Sequence, residues 1–267
     1  MHEVCVDTAR IGGIEMPFAR FGGGAKSFVI LPGVSLKPVT ENAAAVAAAY
    51  APLQADYTVY LLDRRTDLPP DTTVQTLAAD TVTVLRHLGV EKADFFGVSQ
   101  GGMMALCMAL DFPKIVHSVV VGSASCRCTP QFLHLIEQWE VLAKNRDETA
   151  LIKSFSQSLF SPATLRSAGA MIEQSLRGAT ARDYDRFVAQ LDACRNFSVA
   201  DKLQNISCPC FVLAAAGDRV FGLSQAAEIV EKTHGAHFFY GAEYGHAVYD
   251  EAPDYLTRIL GFLKKQP

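Results

Sequence analysis

Three side chains in this chain have the types and order needed for nucleophilic chemistry. Ser99 stands between Gly97 and Gly101 in "GVSQGG", Asp218 closes the run "FVLAAAGD", and His246 lies in "AEYGHAVYD". A hydroxyl is a poor nucleophile at neutral pH until an imidazole takes its proton, and the imidazole in turn needs a carboxylate to hold and stabilise it. The order serine, acid, histidine is the one expected when the serine sits on a strand-to-helix turn. Such a turn forces the serine into strained backbone geometry, and the residues two positions to either side must be small for the chain to pass, a need Gly97 and Gly101 meet. It also puts the backbone N–H of Gln100 at a helix N-terminus, where a developing negative oxygen can be held. A phosphate-cradling turn is the competing reading, but G-x-G-x-x-G spacing and the Walker Lys-Ser/Thr are both absent.

The other histidines and acids fit the roles less well. His237 falls within a strand-like run and reads as a packed core or face residue, while His87, His117, His134 and His234 fall on helices or strands. Asp192 and Asp201 belong to a later helical segment or its edge, and Asp250 and Glu251 read as the start of the final helix, where acids favour the positive dipole end.

Positioning these groups requires three strands that end at one rim. Apolar runs rich in Val, Ile, Phe and Leu alternate with segments of helical period, the pattern of a mostly parallel sheet covered on both faces. "EVCVD" and "IEMPFARFG" form an initial hairpin around Gly12-Gly13, and "SFVILPG", "YTVYLLD", "ADFFGV", "IVHSVVVGS", "CPCFVLAAAGD" and "AHFFYG" follow as strands. The expected fold is therefore α/β, a doubly wound sheet of about eight strands. Between them, "TENAAAVAAAYAPL" reads as a helix with Thr40 as N-cap, "TTVQTLAADTVTVLRHLG" as one ended by Gly89, and "QGGMMALCMALDFP" as one stopped before Pro113. Residues 127–203 carry no strand signal and place Phe132, Leu135, Ile136 and Trp139 at helical spacing, which predicts a helical insertion dividing a core of residues 1–126 and 204–267. No flexible linker borders it, so the insertion is expected to pack on the sheet.

Composition narrows the classes of partner. The 267 residues carry a formal net charge of -4 with Lys and Arg scattered, which gives no basic field for nucleic acid. No apolar run reaches the roughly 20 residues that span a bilayer, and "MHEVCVDTAR" has no charged start followed by an apolar stretch. With seven cysteines, an odd count, and Cys107 inside an apolar run, a reducing cytoplasm is the expected setting. The pairs Cys126/Cys128 and Cys208/Cys210 have no further ligands at zinc spacing, so no metal is expected.

The stretches "LPGVS", "GVSQGG", "AAAGDRV" and "YGHAVYDEAPDYL" resemble those of α/β-hydrolase-fold proteins with a helical cap, and the similarity covers nearly the whole chain. The resemblance implies a serine hydrolase with Ser99 as nucleophile, His246 as base and Asp218 as its acid, requiring no cofactor. It implies a second oxyanion donor in the loop after the early strand, at Val34 with Ser35 as the alternative. A serine at this turn disfavours the relatives that attack carbon-halogen bonds or epoxides through a carboxylate. The form is similar to that of enol-lactonases, small-ester esterases, haloperoxidase-like proteins and carbon-carbon bond hydrolases. The expected substrate is a small ester or lactone with an apolar acyl group, with carbon-carbon hydrolysis or a non-catalytic ligand-binding role as alternatives. Phe132, Trp139, Phe155, Phe160, Tyr184 and Phe187 are candidate pocket walls. Arg64, with Arg65 in the loop "DRRTDLPPD", is a candidate to hold a substrate carboxylate through a bidentate pair, with a solvated loop charge or a structural ion pair as the alternative.

Overall fold

In the computed structural model, which describes residues 3–266, eight strands form one sheet in the order β1-β2-β4-β3-β5-β6-β7-β8. β1 (Cys5–Ile11) and β2 (Ile14–Gly22) are the expected hairpin, and β2 also pairs antiparallel with β4 (Tyr57–Leu62). From β4 through β3 (Lys26–Leu31), β5 (Ala93–Val98), β6 (Val116–Gly122), β7 (Cys210–Ala215) and β8 (Ala236–Tyr240), every pairing is parallel. The central strands are buried on both faces, which explains why β5 reads as the unbroken run ADFFGV. Alternate residues serve opposite layers: Phe95, Val119 and Val121 enter one apolar cluster, while Phe96 and Val120 enter the other.

The helices between strands begin and end for local reasons. α1 (Ala43–Ala49) is short. Thr40 does not cap it, correcting the sequence expectation, because Pro38 opens a 3-10 turn over Val39–Asn42 and Asn42 takes the cap position. α2 (Val74–His87) starts with a capping box in which the Thr73 side chain accepts from the Thr76 N–H and Thr76 reciprocates, and Gly89 follows its end with φ +80°. α3 (Gln100–Asp111) is buried from Gln100 to Ala109, as expected of a helix that is apolar on every side.

Between β6 and β7 run four helices, α4 (Pro130–Lys144), α5 (Glu148–Leu159), α6 (Pro162–Leu176) and α7 (Ala181–Asp192). Their two connections to the sheet lie side by side. The Cys128 N–H donates to the Phe197 carbonyl and the Val199 N–H to the Cys126 carbonyl, each at 2.8 Å, around an antiparallel bridge between Arg127 and Ser198. The insertion shares its apolar interior with the sheet, since Phe132, Trp139, Phe155 and Phe187 belong to the same cluster as Phe95 and Val121. α6 is the least anchored of the four, with Gly169 its only buried residue.

After β7 come α8 (Leu223–Thr233), the short α9 (Val248–Glu251) and α10 (Tyr255–Leu263). Asp250 and Glu251 thus do not begin the final helix. They close α9, and a separate turn leads to α10. His237 is exposed on β8, an edge strand, with its ring against Phe239 at 4.9 Å, so it is a face residue and not a core one. Among the described residues no helix is long and apolar enough to cross a membrane.

Candidate active site

β5 delivers Ser99 to the carboxyl edge of the sheet, and its backbone there has φ 54° and ψ -122°, a conformation that costs a non-glycine residue about 1–3 kcal/mol. The surroundings hold it in place. The Ser99 N–H donates to the Gly122 carbonyl at 2.9 Å and its own carbonyl accepts from Met103 at 3.1 Å. Although Ser99 occupies the cap position of α3, its hydroxyl makes no capping bond, so Oγ is not spent on starting the helix.

The flanking glycines are fixed by space. A Cβ on Gly97 would lie 2.1 Å from the Gly101 carbonyl oxygen, and one on Gly101 would lie 2.0 Å from the Leu31 and 2.6 Å from the Pro32 carbonyl oxygens. Because both contacts of Gly101 are backbone, nothing can turn aside. Gly101→Ala is expected to cost about 3 kcal/mol or more by overpacking, lowering the melting temperature by roughly 10 °C in a thermal scan.

Asp218 follows β7 and His246 follows β8, and both are buried. The Asp218 Oδ1 accepts backbone N–H bonds from Val220 at 2.8 Å and Phe221 at 3.1 Å, which leaves Oδ2 for His246 Nδ1 at 2.9 Å. Burial alone would raise the Asp218 carboxyl, but His246 beside it and these two N–H groups outweigh burial and hold it below its ordinary value. An ionised carboxylate can only accept, so in neutral His246 the proton belongs on Nδ1 and Nε2 presents a lone pair. Nε2 is buried and has no hydrogen-bond partner among the described residues. His246 and Ser99 line one small cavity of about 30 Å³, together with Gly33, Val34, Trp139 and Tyr249. Gly33 passes so near the serine that a Cβ there would lie 3.0 Å from Ser99 Cβ.

Residues 28–259 match the model of the alpha/beta hydrolase family. The chain belongs to that family. Among curated relatives it is similar to 3-oxoadipate enol-lactonase 1 of Acinetobacter baylyi, at 26% identity over 228 residues, 80% of this chain and 81% of that one. Among solved structures it is similar in fold to the alpha/beta hydrolase enzyme MGS-M2 from a Medee basin deep-sea metagenome library, with TM-score 0.86, 17% identity and 98% of both chains covered. The enol-lactonase from Burkholderia xenovorans LB400 superposes with TM-score 0.83 at 19% identity, covering 97% of this chain and 100% of that one.

The arginine expected at the cleft of this alpha/beta hydrolase lies elsewhere. Arg64 is fully buried and donates from Nη2 to the Pro32 carbonyl at 2.6 Å and to Gln100 Oε1 at 2.8 Å, with Nε reaching the same oxygen at 3.2 Å. Its Nη2 and Nε are taken by the protein's own acceptors, Nη1 is buried without a partner among the described residues, and the side chain lines neither the small cavity nor the groove beside it. Arg64 thus holds neutral acceptors away from both cavities, and is neither placed as a substrate clamp nor the solvated or ion-paired loop charge that was the alternative. Arg65 points away as well, to Asp80 and the Gly13 carbonyl.

Arg64 belongs to a buried polar network that the sequence reading did not identify. Gln100 Nε2 donates to the Gln190 carbonyl on α7 at 2.6 Å, Gln190 exchanges two hydrogen bonds with the Ser35 backbone at 3.1 and 3.0 Å, and Arg186 pairs with Asp63 at 3.0 Å. The network ties the insertion to the loop after β3 and to the residue beside Ser99. Its trace in the sequence is Arg186 and Gln190, polar residues four apart on the face of α7 that also carries Phe187 and Leu191. Of the candidate aromatic walls, Phe132, Trp139 and Phe155 line the small cavity and Phe155 and Phe160 the adjoining groove, while Tyr184 and Phe187 are buried and line neither.

Proposed function

We propose that this alpha/beta hydrolase is a serine hydrolase of small carboxylic esters or lactones. The observation that carries the reading is the imidazole of His246, anchored at Nδ1 by Asp218, with an unspent Nε2 on a ring that shares a cavity with Ser99. Ser99 Oγ attacks the carbonyl carbon as His246 Nε2 takes its proton. The carbonyl oxygen becomes an oxyanion, the bond to the leaving oxygen breaks, and the proton passes from Nε2 to that oxygen. Water then attacks the acyl carbon and gives a proton to His246 Nε2, the carbon-Oγ bond breaks, and that proton passes from Nε2 to Oγ, which frees the acid and restores the serine hydroxyl.

The proposed oxyanion donors are the N–H groups of Gln100 and Val34, each worth about 3–4 kcal/mol in sites of this kind. Ser35 is disfavoured because its N–H is engaged by Gln190 Oε1. Asp218 orients the imidazole and stabilises its charged form. Residues 127–203 are the proposed cap, with Trp139 on the wall facing the reacting atoms. Family membership and the named enol-lactonase relative support hydrolysis of an acyl-oxygen bond.

A fluorophosphonate probe tests the reading. Stoichiometric labelling at Ser99, with turnover of short p-nitrophenyl esters, is the expected result. A folded protein that stays unlabelled overturns it in favour of ligand binding without chemistry, and labelling with turnover only of vinylogous diketones points instead to carbon-carbon hydrolysis.

A further inference from the structure

The cavity at Ser99 is about 30 Å³, room for little more than one water-sized group, so it can admit the reacting carbonyl but not the body of a substrate. A groove of about 470 Å³ adjoins it, and the two share Val34, Phe155, Leu159 and Tyr249 as walls. The groove runs between α6 and the loop after β3. Its remaining apolar surface comes largely from Leu36, Phe160, Met171, Ile172 and Leu176. Its charged groups are Lys37, Glu41 and Asp250. Lys37 Nζ is paired with Glu41 Oε2 at 3.0 Å, which leaves Asp250 as the uncompensated charge. The buried cations Arg64 and Arg186 do not line the groove: Arg64 bonds Gln100 and the Pro32 carbonyl, and Arg186 pairs with Asp63.

We infer that the groove holds the apolar tail of an uncharged ester and excludes tails ending in a carboxylate. The inference rests on the serine hydrolase reading and adds the substrate's charge and shape. A carboxylate in the groove would meet apolar walls, a neutralised lysine and a like charge at Asp250, with no cation to repay its lost hydration. An alkyl tail removes its own surface and that of the walls from water.

Labelling kinetics with three fluorophosphonates at pH 8 test this: an ethyl probe, a probe with an eight-carbon alkyl tail, and one of equal length ending in a carboxylate. The alkyl probe should label Ser99 at least tenfold faster than the ethyl probe and at least tenfold faster than the carboxylate probe. Ile172→Lys, which places a cation on the groove wall, should shift the carboxylate-to-alkyl rate ratio upward by at least tenfold. Equal rates for the two long probes, or a faster carboxylate probe, overturn the charge assignment. An alkyl probe no faster than ethyl overturns the groove as the tail site. Absence of labelling by the ethyl probe is a different failure, that of the serine hydrolase reading itself. The wild-type comparison decides even if Ile172→Lys does not fold.

Discussion

Ser99→Ala is expected to lower kcat for a short ester by about 10⁵ to 10⁶, because a nucleophile acting as one unit with its base carries nearly the whole covalent route. The fold should not notice the change. Alanine keeps the Cβ, so the backbone cost at φ 54° is neither added nor relieved, and the lost Oγ capped nothing. Melting temperature should therefore stay within about 2 °C, the shift that well under 1 kcal/mol produces in a chain of this size. Removing His246 as well should cost almost nothing further, since the two groups work as a unit. Activity above a hundredth of wild type, measured with protein free of wild-type contamination, would remove Ser99 from the nucleophile's place.

The second large effect is expected from Asp218→Asn, about 10⁴ in kcat. Two backbone N–H groups converge on one oxygen, Oδ1, while the other, Oδ2, faces the imidazole. An asparagine has only one oxygen, and the Val220 and Phe221 donors claim it. The amide NH₂ must then face Nδ1, which forces the proton onto Nε2 and removes the lone pair that the serine needs.

The same substitution has a signature in stability. Asp218 has a folded value below its unfolded one, so its ionised form adds stability above the usual carboxylate range, and this is lost as pH falls through the folded value. Thermal unfolding followed below about pH 4 should show the Asn variant with a flatter acid flank than wild type. Parallel flanks would contradict the depressed carboxyl.

The strands were legible from sequence because buried parallel strands are written as plain apolar runs between turn residues. "ADFFGV" became β5 without a change of boundary, and the helical character of 130–192 followed from its spacing. Ser99, Asp218 and His246 could be singled out because each follows a strand, and strand ends are fixed by topology. What stayed hidden depends on contacts between segments far apart. Arg64 sits two residues after an active-edge strand, as a substrate clamp would, and only the fold reveals that Gln100 and Pro32 take its Nη2 and Nε donors. Gln190 meets Ser35 across 155 positions, a pairing no local pattern records. The acids at 250 and 251 carried a sound local signal for a helix start, and α9 intervened.

Glu251 receives the Gly245 N–H at 2.6 Å through one oxygen and the Ser161 N–H at 2.7 Å through the other, and the Ala247 N–H reaches the Leu159 carbonyl at 2.8 Å. The backbone on both sides of His246 is thereby stitched to the junction between α5 and α6. Were that junction to swing outward to admit a ligand, His246, the proposed proton acceptor, would travel with it and the proposed turnover would stall until it returned. On the proposed mechanism, a ligand entering the groove would be admitted by the outer length of α6, which has a single buried residue to release and can move while His246 keeps its seat.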